Sequence, residues 1–453
     1  MQYLPCFLLL IVLTGDHSMK IATLRIAFLS SVVFVSATMT SAQGCPGSAG
    51  CLDQTFGAGG LSTTSVSSNS DVFPIRGVSQ SDGKILNVVE VRGSSFTHVI
   101  IRSNADGSVD STFGTGGFAF VNWTGTVIPH GYPFGVAIQT VGPEERIVIA
   151  GSGLGGSNVL QVNRYLSDGS PDASFGIAGR VVVNAGYAGA IAIQPDGKIL
   201  TLSDAGSLVR LNVNGTMDAS FGTNGIATIS PYTIKARSIA LQSNGRIVAV
   251  GYSFNNRDVV SMTVTRFNTN GSVDGGGKDD STKGDSFGTK GTTTVASLPG
   301  SSAFDVKVDG NGRLIVAGTA NNDFAVVRLT TSGQLDTSFG AGGKTTVDLG
   351  GFVDIAHSVS VQSNGKIVLV GNSSPTANSN IRNPGLARFN SNGSLDTTFG
   401  NGGKVVSDFS SDWEYITNGV IQQDPICGCE KIIAIGAVTL SGSYYALSAR
   451  YLL

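Results

Sequence analysis

The chain has 453 residues, 62 of them Gly, with 41% hydrophobic, 13% charged and 8% aromatic residues. Lys and Arg number 29 against 31 Asp and Glu, a net charge of −2, so no basic stripe exists for nucleic acid and no acidic excess keeps the chain disordered. The apolar content is enough for a core, so the chain is expected to fold.

Residues 1–42 read as a signal peptide. Two apolar runs, 4–13 and 26–35, are each shorter than a bilayer span. The second has the better layout: Lys20 and Arg25 before it, and Thr40-Ser41-Ala42 as a small-residue cleavage site after it. Residues 1–18 then read as an upstream extension, with Met19 as the true start. A membrane anchor is the rival reading, and a lipid anchor at Cys45 is weaker. No later segment is apolar enough to span. The expectation is an exported protein, extracellular, cell-surface or periplasmic, without stable membrane insertion after processing.

Residues 43–51 form a short Cys-bounded leader. Processing leaves Cys45, Cys51, Cys427 and Cys429, an even number that points to disulfides in an exported protein. Cys45 and Cys51 enclose a short Gly/Pro/Ser loop and can pair. Cys427-Gly428-Cys429 would close a strained ring, so cross-pairing between the two ends of the chain is the other arrangement. Four thiolates on zinc is the third, weakened by the single-residue gap.

From 52 to 453 one unit recurs. Phe-Gly stands at Phe56, Phe113, Phe175, Phe221, Phe287, Phe339 and Phe399, most clearly within Leu335-Asp336-Thr337-Ser338-Phe339-Gly340. After each comes a short β-branched run, then an alternating strand ending in Gln. A tight turn and a second strand follow, as in Gln194-Pro195-Asp196-Gly197-Lys198-Ile199. Last comes Arg-aromatic/Leu-Asn, as in Arg388-Phe389-Asn390. Asp-Gly and Asn-Gly between β-branched runs are hairpin signals, and the apolar period is two. Each unit is therefore about four short strands, too small to bury a core alone. Seven such units predict an all-β, seven-bladed β-propeller with about four antiparallel strands per blade. The strand after Gly60 should complete the last blade and close the ring. A β-helix is the runner-up, but its repeats are shorter.

These pieces resemble the delta-60 repeat family across essentially all of 52–453. The resemblance implies an exported, mostly bacterial, propeller-like protein. It brings no agreed activity, so no catalytic residue is carried over.

Other motifs have bland readings. Gly151-Ser152-Gly153-Leu154-Gly155-Gly156 matches a dinucleotide fingerprint, but a strand follows where a helix is needed. Asn104-Ala105-Asp106-Gly107-Ser108-Val109-Asp110 and its copies resemble calcium loops, yet lack the several carboxylates calcium prefers. Side-chain capping of the turn is the better account. The insert 274–285, with Asp279, Asp280 and Asp285, is the best metal candidate and reads more readily as a solvated loop. His98, His130 and His357 fall at different repeat positions. Arg102, Arg164, Arg210, Arg266, Arg328, Arg388 and Arg450 share one position, which points to packing rather than seven active sites. Neither a cofactor nor a catalytic set is expected.

Two connections of each unit are uniform and share one face. The other two vary, over 122–135, 252–261, 296–302, 373–385 and 410–417. Variable loops on a rigid scaffold are where function sits. Aromatics gather in the connections after the Phe-Gly strand: Phe73, Trp123, Tyr132, Phe134, Tyr187, Tyr232, Phe304, Phe352, Trp413 and Tyr415. They can stack on sugars or anchor a protein partner, or plug seams between blades. The preferred reading is a non-catalytic binding or scaffold module for an extracellular glycan or protein. The alternative is a secreted hydrolase or lyase in the variable loops, with His130, Asp354, Asp412 and Glu414 as sparse candidates.

Overall fold

The computed structural model describes residues 47–453 apart from short stretches at 67–69, 94–95, 122, 124–134, 153–158, 187, 204–205, 229–234, 255–259, 278–279, 283, 296, 299 and 378–380. The expected signal peptide, Cys45, His130, Tyr132, Phe134, Tyr187 and Tyr232 lie outside the described residues. No helix among the described residues is long and apolar enough to cross a membrane.

Seven four-stranded antiparallel sheets form, one per repeat. The innermost strands of blades 1 to 7 are Asp71–Ser79, Gly135–Val141, Ala188–Ile193, Lys235–Leu241, Ser302–Val308, Val353–Val361 and Glu414–Gln423. In the first six blades the strands run outward in sequence order. In blade 7 the outermost place is taken by Leu61–Thr64, which pairs with Ser443–Leu452 in the register Leu61↔Ala449. The chain's first strand thus closes the ring, as the repeat phase predicted.

The recurring Arg, Asp and Phe-Gly form one latch, repeated at each seam. Arg Nε lies 2.6–2.9 Å from the Asp Oδ2 in Arg102–Asp110, Arg164–Asp172, Arg210–Asp218, Arg266–Asp274, Arg328–Asp336, Arg388–Asp396 and Arg450–Asp53. Each guanidinium carbon also sits 4.4–4.8 Å above the centre of the Phe ring of its own motif. In the copies that reach across, Nη1 donates to a turn carbonyl of the next blade, as Arg164 to Val213 and Arg210 to Thr269, both at 2.5 Å. The Gly of Phe-Gly, held at positive φ, donates its N–H to that neighbouring turn at 2.7–2.9 Å. The repeated polar set therefore braces the seams.

At the last seam no Asn-x-Asp-Gly turn is present, and 47–53 replaces it. Gly400 N of blade 6 donates to Ala49 O at 2.9 Å; Asp53, from the same segment, pairs with Arg450 in the blade 7 latch, which reaches Ala105 O of blade 1.

The cysteines differ from one expectation. Cys427 and Cys429 pair with each other, with a Cα separation of 5.2 Å. Gly428 at φ +62° turns the chain so that the two side chains meet, which the strain argument had discounted. Cys51 is also disulfide-bonded, and its partner lies outside the described residues. No staple joins the leader to Cys427 or Cys429, and the paired sulfurs are not free thiolates for zinc.

Candidate functional site

The innermost strands start at the variable face and end at the Gln turns of the uniform face. All seven line one cavity of about 460 Å³ on the ring axis. Six of them slip register near their start, leaving an extra residue: Ile75, Gly189, Arg237, Phe304, His357 or Thr417. Such bulges bend the strand and re-aim the side chain. They bring Arg237, Phe304 and His357 to the level where the cavity meets the variable face.

An arc of rings borders this mouth. Phe304 and His357 have centroids 5.4 Å apart, His357 and Tyr415 5.4 Å, and Tyr415 and Trp413 6.0 Å, the last pair stacked. Trp413 continues to Phe73 at 5.7 Å and to Tyr444 at 5.8 Å. The arc spans blades 5, 6, 7 and 1. All these rings are half-buried, so each keeps a face or edge in solvent.

Cations converge on the arc. Arg76 and Arg237 line the cavity, and Arg382 stands 5.4 Å from the Tyr415 ring centre. Arg237 lies 5.7 Å from the Tyr252 ring centre, and Arg76 donates to Thr417 O at 3.3 Å. Asp305 is the one carboxylate lining the cavity, and it is already engaged. Its oxygens accept from Ser238 Oγ at 2.8 Å, Val306 N at 2.9 Å, Val359 N at 3.1 Å, Ser358 Oγ at 3.2 Å and Lys307 Nζ at 3.4 Å. Burial works against the Asp305 charge, but Lys307, Arg76 and these donors hold its pKa below the ordinary value. Burial, with Arg76, Arg382 and Arg237 nearby, pushes His357 down to about 3, so its imidazole is neutral. Burial raises the Tyr415 hydroxyl, opposed by the same three arginines.

The predicted site residues divide. Trp413, Tyr415 and Phe304 come together in the arc, though Phe304 and Tyr415 belong to innermost strands rather than to the connections where the sequence placed them. Phe352 is 56% exposed on the connection entering blade 6. Trp123 stands apart: its Nε1 donates to His98 Nδ1 at 2.9 Å, and it packs against the core of blades 1 and 2. Arg76, Arg237, Arg382 and His357, which the structure sets beside the rings of the arc, were not singled out as site residues in the sequence. An Arg or His breaking the alternation four or five places before the strand-ending Gln is the signal that marks Arg76, Arg237 and His357.

The other candidates are occupied structurally. Asp106 accepts Ser108 N at 2.9 Å, so the calcium-like turn is self-capped. In the 274–285 insert, Asp280 accepts Asn268 Nδ2 at 2.7 Å and Thr282 N at 2.8 Å, and Asp285 pairs with Arg246; Asp279 lies outside the described residues. Asp354 and Glu414 are fully buried. Both stand eight places before their Gln, and each accepts a loop amide at 2.6 Å, from Leu349 and Phe409 respectively. Asp412 is exposed beside Ser410. Residues 144–152 and 160–165 pair as strands around the Gly-rich segment, so no helix follows to hold a pyrophosphate.

The family model described as "Domain of unknown function (DUF5122) beta-propeller" matches residues 80–113, 146–175, 194–221, 242–276, 310–339 and 362–399, together less than half of the chain. No curated protein sequence matches. Among solved structures, a streptogramin B lyase has TM-score 0.49 at 12% identity, covering 85% of this chain and 96% of its own. The WD40 β-propeller domain of Doa1 has TM-score 0.44 at 12% identity, with coverages of 86% and 97%. A protein of unknown function from Dyadobacter fermentans has TM-score 0.41 at 10% identity, with coverages of 87% and 100%. These likenesses carry no functional argument.

Proposed function

We propose that the protein is an exported, non-catalytic binding module that holds a glycan at the variable-face mouth of its axial cavity. The supporting observation is the arc Phe304–His357–Tyr415–Trp413–Phe73, partly buried rings from four blades at one opening. Aromatic faces pack against the C–H faces of sugars, and a rigid ring holds them at little entropic cost. The layout of residues 19–42 supports export, and disulfides at Cys51 and Cys427–Cys429 suit an oxidising compartment. Kinship with the delta-60 repeat proteins belongs to the same proposal and rests on the Leu-Asp-x-x-Phe-Gly and Gln-x-Asp-Gly-Lys-Ile pieces.

The test is binding of the purified mature protein to a glycan array and a peptide array, with wild type beside Trp413→Ala and Tyr415→Ala. Truncating a ring that contacts ligand should cost about 2 kcal/mol or more, roughly thirtyfold in affinity. Glycan binding that survives both substitutions while melting falls sharply would make the rings seam packing and end the proposal. Ring-dependent capture of peptides alone would replace the glycan with a protein partner.

A further inference from the structure

Two of the three arginines at the mouth have no carboxylate paired with them among the described residues, and the third, Arg76, shares Asp305 with Lys307 and four hydrogen-bond donors. Among the described residues Arg237 and Arg382 make neither a hydrogen bond nor an ion pair, only long contacts with the Tyr252 and Tyr415 rings. Arg76 has one backbone carbonyl, Thr417 O, as its hydrogen-bond partner. Arg76 and Arg237 line the same cavity, and Arg382 stands 5.4 Å from the Tyr415 ring centre, itself 5.4 Å from His357. The cavity below adds Lys307, and the single carboxylate there, Asp305, already accepts five donors. Partly buried guanidinium groups left unpaired are costly unless something negative joins them. The guanidinium fork matches the two oxygens of a carboxylate, sulfate or phosphate. A mouth bordered by low-dielectric walls focuses that attraction.

We infer that this mouth is an anion site, and that the sugar held by the aromatic arc carries a carboxylate, sulfate or phosphate group which enters between Arg76, Arg237 and Arg382. The inference rests on the glycan reading above and names the chemical class of its ligand. The arc supplies the face on which the ring stacks, and the arginines read the acid. His357, kept neutral between them, adds no charge of its own.

The test is a melting-temperature titration of wild type, Arg237→Gln and Arg76→Gln. Glucuronate, glucose 6-sulfate and glucose 6-phosphate are the probes, against glucose and against sodium chloride at matched ionic strength. Among the described residues the Arg237 side chain makes no hydrogen bond or ion pair, only the long Tyr252 contact, so its replacement should leave the far-ultraviolet spectrum unchanged. The expected result is a saturable rise with at least one acidic sugar and none with glucose or chloride. The acid with the strongest effect identifies the anionic group. In Arg237→Gln the concentration for half-effect should increase at least tenfold. Equal responses to acidic and neutral sugars, no saturable response at all, or a rise that persists in both variants would overturn the inference. Array binding of neutral glycans that depends on Trp413 would remove the anion site and leave the glycan reading standing. Arginine-dependent binding of acids with no ring dependence would do the reverse.

Discussion

Glu414 shows how one buried group sets a pH response. Its side chain has no exposure, and burial raises its pKa from 4.5 to about 8, opposed by the Phe409 N–H that it accepts. In the unfolded chain the group ionises near its ordinary value. Between these two values the folded state holds a proton that the unfolded state has released. Stability is therefore fully present below about 4.5, falls as pH rises through the window to about 8, and levels off above it. Glu414→Gln keeps an acceptor for Phe409 and removes the titration. Urea melts at pH 5 and pH 8 should show wild type losing more stability than the variant across this interval; parallel curves would contradict the assignment. The seam latch gives a second residue-scale expectation. Arg328 is buried, pairs with Asp336 at 2.8 Å, donates to Ser338 Oγ at 2.9 Å and reaches Ser391 O of blade 6. Arg328→Ala removes the donor that bridges the two blades but leaves Asp336 with Arg313 at 3.6 Å and with Ser338 N and Oγ as donors, so it should cost about 1–3 kcal/mol, read as a lowered denaturation midpoint.

At the scale of elements, the closing segment carries disproportionate weight. Residues 47–53 stand in for a turn, and Leu61–Thr64 for a strand, both held to the C-terminal strand of blade 7, with Gly400 of blade 6 across the seam. Gly50 has φ +91°, and a Cβ there would lie 2.4 Å from Gly400 N. Gly50→Val should therefore lower the melting temperature far more than Gly402→Val, since Gly402 has nothing within 4 Å of its Cβ position although its φ is also positive. Equal effects would mean that backbone strain, and not the seam contact, governs the site. The repeat made these elements legible. Seven copies of Phe-Gly and Arg, and six of Gln with Asp309 in its place in blade 5, report one backbone solution, and the phase of the first copy shows where the ring closes. The cysteine ring at Cys427–Cys429 was not legible, because its closure depends on the turn Gly428 takes inside one hairpin.

For the whole molecule, the uniform parts and the aromatic mouth separate. Residues that repeat hold blades together, so repetition reveals the scaffold and conceals the site. Trp413, Tyr415 and Phe304, which the structure brings together, were singled out in the sequence because large rings stand out in variable positions. Arg76, Arg237 and His357 were passed over because each occurs in a different blade. They come together only when seven strand starts converge on one axis, a relation that no local window contains. The same convergence separates Trp123 from the mouth, although it and Trp413 look alike in the sequence.

That separation allows a direct measurement. The chain has two Trp residues. In Trp123→Phe, Trp413 is the sole indole reporter and sits within the aromatic arc. Titrating this variant with a glycan that the wild type binds should change the Trp413 emission with the same saturation curve as binding followed independently. Binding that proceeds with the Trp413 emission unchanged would place the ligand elsewhere and contradict the account.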